Sequence, residues 1–165
     1  VRCSHLFDTT TARGIGELKK YCFETFRKTK LIDEAEAVKN WVVVGGTVTS
    51  MAAVLQQLEV YDAEKVQGYV MDQSRVTDLL DRLCHMSYDE KCNLPGMRPE
   101  RADIIVAGVA ILDSLMEYFA VSEALFVGSF LFTTIASLEH TFSNKYHDAE
   151  RLSLGAEICR ETKSF

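Results

Sequence analysis

Hydrophobic positions change period several times along the chain, and each change marks an element. From Gly14 to Lys30, apolar residues at Ile15, Leu18, Tyr21, Cys22 and Phe26 keep a helical repeat with a charged opposite face. Trp41-Val42-Val43-Val44 is an uncharged β-branched and aromatic run, the pattern of a buried strand in an α/β sheet. The run stops at Gly45-Gly46-Thr47. After it, Val48, Met51, Ala52, Leu55 and Leu58 fall on one helical face. Thr47 is the expected N-cap of that helix, with its hydroxyl available to an orphan backbone N–H. Strand, paired glycines and helix make the first readable supersecondary unit.

The remaining pattern predicts mostly helix. Val1 to Phe7 reads as a short extended segment closed by Asp8-Thr9-Thr10-Thr11, and Tyr61 to Met71 as partly extended around Val66, Tyr69 and Val70. A helix from about Ser74 carries Val76, Leu79, Leu80, Leu83 and Met86 at i, i+3, i+4 spacing, and a short polar helix covers Ser87 to Asn93. Leu94-Pro95-Gly96 is a turn by its chemistry. Pro99 suits the first turn of a helix that runs through Ile104 to about Tyr118. That helix is apolar nearly all round and should be buried on most sides. Ala107 and Gly108 within it would let another backbone approach closely. Ala124 to Val127 reads as one more strand, and from Gly128 the pattern weakens to one or two helices. No internal repeat or low-complexity linker appears.

Composition narrows the function classes. The 165 residues are 47% hydrophobic and 25% charged, the profile of a globular domain. Eighteen Lys+Arg against 24 Asp+Glu leave a net charge of −6, a poor basis for general nucleic-acid binding. The one dense basic run, Arg27-Lys28-Thr29-Lys30, reads as a solvated helix end. Five cysteines, an odd number without a C-x-x-C pair, fit reduced thiols in a cytoplasmic setting. No signal peptide is visible, and the chain begins with Val rather than Met. The uncharged stretches Asn40–Leu58 and Ala124–Leu138 are, respectively, interrupted by glycines and polar residues and too short to span a bilayer, so no membrane role is expected.

Few constellations carry chemistry. Paired glycines before a helix let backbone N–H groups approach a phosphate, and the helix dipole favours an anion there. Taken alone, Gly45-Gly46-Thr47 reads first as a structural tight turn and second as a phosphate or nucleotide cradle, since it is neither a P-loop nor G-x-G-x-x-G. Cys84-His85 with Cys92, and His140 with His147, lack zinc spacing, so no metal site is expected. Ser4-His5 and Cys84-His85 have no orienting third group. Asp113 and Glu117, at i, i+4, either share a site or form a solvated stripe, and the stripe is the expectation.

Three segments in order then resemble one family. Val43-Val44-Gly45-Gly46-Thr47-Val48-Thr49-Ser50-Met51-Ala52-Ala53 resembles the Gly-Gly-Thr segment of the exopolyphosphatase/guanosine pentaphosphate phosphohydrolase (Ppx/GppA) family. Tyr61-Asp62-Ala63-Glu64-Lys65-Val66-Gln67-Gly68-Tyr69 is similar to its Y-D-x-x-x-V-x-G link. Leu94-Pro95-Gly96-Met97-Arg98-Pro99-Glu100-Arg101-Ala102-Asp103-Ile104-Ile105-Val106-Ala107-Gly108 resembles its L-P-G-x-x-P-x-R-A-D-x-I-x-A-G signature.

The resemblance covers roughly residues 1–127 and implies a helix-rich α/β fold. That fold would be part of the second ribonuclease-H-like lobe of an actin-like ATPase architecture, followed by a divergent tail over 128–165. It further implies hydrolysis of a terminal phosphoanhydride of polyphosphate or guanosine pentaphosphate, with Mg²⁺. Gly45, Gly46 and Thr47 would face the phosphate or nucleotide, and Ala107 and Gly108 would pack the lobes at the hinge. Arg101 and Asp103 match signature positions without an assigned role. The catalytic Glu and the D-x-G-G-G-S loop of the family are expected before Val1, which leaves no catalytic residue in this chain and predicts that it is inactive alone. Intact relatives of this kind are expected to be homodimers. The family's S-x-x-G-L-R-E-G segment has no match at Gly128-Ser129-Phe130-Leu131-Phe132. The alternative expectation is a non-catalytic binding module that uses Ala124–Leu138 and the Ile104–Tyr118 helix as a partner interface.

Overall fold

A computed structural model of the protein describes residues 7–28 and 41–127. The expectations for residues 1–6, for Thr29-Lys30, for His140 and His147 and for the 128–165 tail lie outside these residues.

Helix α1 (Ala12–Lys28) buries Ile15, Leu18 and Cys22, and ends on Arg27 and Lys28, whose charges complement the negative dipole end. Strand β1 (Trp41–Val44) leads straight into α2 (Gly46–Leu55). A single turn, α3 (Ala63–Val66), is capped by the Asp62 carboxylate, which accepts from the N–H groups of Glu64 and Lys65. Next come β2 (Val70–Asp72) and α4 (Gln73–Cys84). The short α5 (Tyr88–Cys92) forms because Ser87 and Glu90 cap it reciprocally. A 3₁₀ turn (Pro99–Arg101), α6 (Ile105–Tyr118) and β3 (Glu123–Val127) complete the order.

The result is a helix-rich α/β unit on a small mixed sheet of order β1-β3-β2. β1 runs parallel to β3, with Trp41 opposite Ala124 and Val44 opposite Val127, while β2 pairs antiparallel, with Val70 opposite Leu125. Joining two parallel strands needs a long crossover, and everything from α2 to α6 lies within it. The centre is α6, which packs against α1, α2 and α4. It buries Ile105, Val106, Ala107, Val109, Ala110 and Met116, as its all-round apolar sequence predicts.

Four expectations change. Tyr61 to Met71 is extended only at its Val70 end, in β2, while Val66 lies in the α3 turn. Pro99 opens its own 3₁₀ turn, and the long helix begins only at Ile105. β1 is not buried on both faces: Val42 and Val44 are 39% and 55% exposed. The helix proposed for a partner interface is instead consumed by the chain's own core.

Candidate phosphate-binding site

The Gly45-Gly46-Thr47 corner sits at the carboxyl end of β1 and the head of α2. Open α/β sheets leave their ligand-binding crevice at that end of a strand. Gly45 has φ 127° and ψ 163°, a backbone conformation essentially closed to residues with a Cβ. This torsion turns the chain from strand to helix within one residue. Gly45, not Thr47, is therefore the N-cap, and α2 has no side-chain cap. The correction has a simple cause: Thr47 already lies inside the first turn, and its side chain lies against Gly108 of α6. A Cβ on Gly108 would overlap the Thr47 methyl. Close approach at Gly108 is thus made to α2, while Ala107 is fully buried beside it.

The hydroxyls of this corner point backward along the helix. Thr49 Oγ1 donates to the Gly45 carbonyl at 3.0 Å, and Ser50 Oγ to the Gly46 carbonyl at 3.1 Å. The first ladder bond runs from Thr49 N–H to Gly45 O. The N–H groups of Gly46, Thr47 and Val48 precede it and have no intrahelical partner. Space above Gly45 is open: a Cβ there would meet nothing within 4 Å.

Of the two residues that sequence reasoning left without a role, Arg101 belongs to this corner. Its guanidinium lies over Gly46, with Nη2 only 2.7 Å from where a Cβ would stand. A side chain at Gly46 would have to displace the guanidinium. Among the described residues the Arg101 guanidinium makes no hydrogen bond or ion pair. An unpaired cation, three free N–H groups and a positive helix end therefore meet at one corner, an arrangement suited to phosphate oxygens. Asp103 does not join this corner through any ion pair, and its side chain is exposed.

The Mg²⁺ implied by the resemblance finds no ligand set here. Among the described residues no group of three His, Cys, Asp or Glu is placed to hold a metal, and the corner itself offers donors rather than carboxylates.

Asp113 and Glu117 do share a site, contrary to the solvated stripe. Asp113 is 1% exposed; it accepts from Lys19 Nζ at 2.8 Å and from Thr77 Oγ1 at 2.6 Å. Glu117 takes the same ammonium at 2.8 Å from the surface side. Burial pulls the Lys19 ammonium down, but its bonds to the two carboxylates outweigh this and leave its pKa above the usual 10.5. The cluster clamps α1, α4 and α6 together. Cys84 and His85 form no catalytic pair: burial pushes the thiol up, and His85 Nδ1–H donates to the Asp81 carbonyl at 2.7 Å.

The sequence profile of the Ppx/GppA phosphatase family matches residues 10–128. The chain belongs to this family. Exopolyphosphatase 2 of Mycobacterium tuberculosis is 25% identical over 114 residues, covering 69% of this chain and 35% of that protein. A bifunctional 3-dehydroquinate synthase/phosphatase of Fusobacterium nucleatum is 32% identical over 76 residues, 46% of this chain and 11% of that protein. The chain thus spans about a third or less of the length of these relatives. Among solved structures, an Aquifex aeolicus PPX-GPPA enzyme superposes with a TM-score of 0.67 at 22% identity, covering 78% of this chain and 42% of that one. A second Aquifex aeolicus Ppx/GppA phosphatase structure, the type II variant, gives 0.58 at 24% identity over 70% of this chain and 36% of that one. At these identities the likeness shows the fold alone: the helix-rich α/β unit shares its fold with these Ppx/GppA structures.

No helix among the described residues is long and apolar enough to cross a membrane, and the Ala124–Val127 part of the second uncharged stretch lies in β3.

Proposed function

We propose that this chain supplies the phosphate-gripping corner of a phosphoanhydride hydrolase that releases terminal phosphate from polyphosphate or guanosine pentaphosphate. The observation that carries the reading is the unpartnered Arg101 guanidinium over Gly46, at the uncapped head of α2. Arg101 and the N–H groups of Gly46 to Val48 hold phosphate oxygens, and Gly45 keeps the approach open. These groups bind and orient, and they neutralise charge on the phosphoryl oxygens. None of them can take a proton from water. The group that activates the attacking water, and the Mg²⁺ ligands, belong to the lobe that the family places upstream, so the chain alone is inactive. In the whole protein, the Thr47–Gly108 contact ties the corner to α6, where Ala107 and Gly108 pack as the hinge. The intact enzyme is a homodimer, and the reduced thiols of Cys84 and Cys92 suit a cytoplasmic location.

Two readouts on the purified chain test this. Incubation with polyphosphate and Mg²⁺ should release no phosphate beyond a Gly46→Asp control, and clear release above that control overturns the inactivity. Polyphosphate binding should be saturable, fall with salt and weaken at least roughly tenfold in Arg101→Met, the loss of a charge-assisted contact. Binding unchanged in Arg101→Met overturns the site.

A further inference from the structure

The Arg101 guanidinium lies over Gly46 with no hydrogen bond or ion pair of its own among the described residues. With no bond at its tip, the backbone that carries it sets where it can reach. That backbone is Leu94 to Arg101. Met97 N–H donates to the Leu94 carbonyl at 2.9 Å, and Arg101 N–H to the Arg98 carbonyl at 2.8 Å. Met97 and Ala102 are buried on either side of the 3₁₀ turn. The Arg98 guanidinium lies over the Tyr61 ring, 4.6 Å from its centroid.

Gly96 is where this loop meets α2. Its φ is 84°, in the left-handed region that favours glycine. A Cβ there would stand 2.4 Å from the carbonyl carbon of Ala53 and 2.7 Å from the Val54 nitrogen. Both are backbone atoms of α2, and Ala53 and Val54 are buried, so no change of rotamer makes room. Any side chain at position 96 therefore pushes the loop away from α2. Loop and helix meet twice: Gly96 against Ala53 and Val54 near the end of α2, and Arg101 over Gly46 at its head. The first contact sets the height of the second. We propose that Gly96 is a positioning residue of the phosphate-gripping corner: it seats the Leu94–Arg101 loop on α2 and so holds the Arg101 guanidinium over Gly46. The inference rests on the proposed function for its ligand, but the place of the guanidinium can be read with no ligand bound. Gly96 itself touches no phosphate, and its effect passes through Arg101.

The test is a double-mutant cycle of Gly96→Ala with Arg101→Met on the whole chain. Two quantities are read, the Gly46 amide resonance of the free protein and the affinity for polyphosphate. Gly96→Ala alone should shift the Gly46 amide toward its position in Arg101→Met and lower the affinity at least roughly fivefold. In the Arg101→Met background the same substitution should move neither. The proposal fails if the Gly46 amide stays in place in Gly96→Ala. It fails too if the shift or the affinity loss is equal in both backgrounds, the result that a displaced α2 or a general loss of stability would give. Should Gly96→Ala not fold, Tyr61→Ala, at an exposed ring, releases Arg98 from its stack. It should lower the affinity about threefold, and only where Arg101 is present; equal effects in both backgrounds again overturn the proposal. Affinity unchanged in Arg101→Met would refute the phosphatase reading instead, while the Gly46 amide would still decide whether Gly96 places the guanidinium.

Discussion

Substituting Gly108 by alanine sets two effects of known size against each other. Gly108 lies inside α6, where alanine is preferred over glycine by about 1 kcal/mol on helix propensity alone. Against this, the new Cβ would overlap Thr47 Cγ2, and Thr47 Cβ and Oγ1 would stand only 3.2 Å away. Thr47 is on a helix and its neighbours Ser50 to Val54 are buried, so α2 has little freedom to retreat. Overpacking of such a contact costs about 1–3 kcal/mol. Taking about 2 kcal/mol for the overlap, Gly108→Ala should destabilise the fold by about 1 kcal/mol net.

Removing the offending methyl reverses the sign. Thr47→Ser alone should cost about 0.8 kcal/mol, the value of one buried methyl group. In that background Gly108→Ala meets no overlap with Cγ2, and the helix preference should emerge as about 1 kcal/mol of stabilisation. Urea denaturation of the four proteins completes the cycle. The expected coupling is about 2 kcal/mol, several times the roughly 0.3–0.5 kcal/mol within which independent sites add. Equal effects of Gly108→Ala in both backgrounds would refute the claim that Thr47 is what demands glycine there. The same variants carry a functional readout: a displaced Thr47 moves its neighbour Gly46, so Gly108→Ala should weaken polyphosphate binding and Thr47→Ser should restore it.

Three further outcomes follow from the buried polar groups. Asp113→Ala should cost about 1–2 kcal/mol in chemical denaturation, because Lys19 loses its buried partner and keeps only Glu117 while the Thr77 hydroxyl falls back on the Gln73 carbonyl; a cost under about 0.5 kcal/mol would show that the clamp contributes nothing. Lys19 has a folded pKa raised above 10.5, so its contribution is fully present below that value and is lost as pH rises through the folded pKa. Lys19→Met should therefore remove part of the alkaline decline in stability, and parallel decline in the two proteins would contradict the assignment. Tyr69 has a buried hydroxyl without a partner among the described residues, and Tyr69→Phe should be neutral or stabilising by up to about 1 kcal/mol; a clear loss of melting temperature would reveal a bond to that hydroxyl.

What the sequence made legible follows from how local the cause is. The β1-to-α2 corner, the α4 repeat and the all-apolar α6 depend on neighbours within a few residues, and all three appear where the pattern puts them. Thr47 misled because Ser and Thr are good caps in general. The competing cue was the preceding Gly-Gly, which can make the turn by backbone torsion alone and so moves the cap to Gly45. Pro99 misled in a related way. Its fixed φ serves a 3₁₀ turn as well as an α-helix, and only the Ile105 start of the apolar face separates the two.

The polar contacts were less legible because their partners are far apart in the chain. Arg101 and Gly46 are separated by a whole crossover, and nothing in the spacing joins them. Asp113 and Lys19 are 94 residues apart. Even so, one signal for Asp113 was available. It follows Val106, Val109 and Ala110 by seven, four and three residues, which places it on the same stripe as three residues that are buried. A carboxylate on that stripe cannot be solvated, whatever its i, i+4 neighbour does. It must find a cation in the core, and α1 carries Lys19 one residue after the fully buried Leu18.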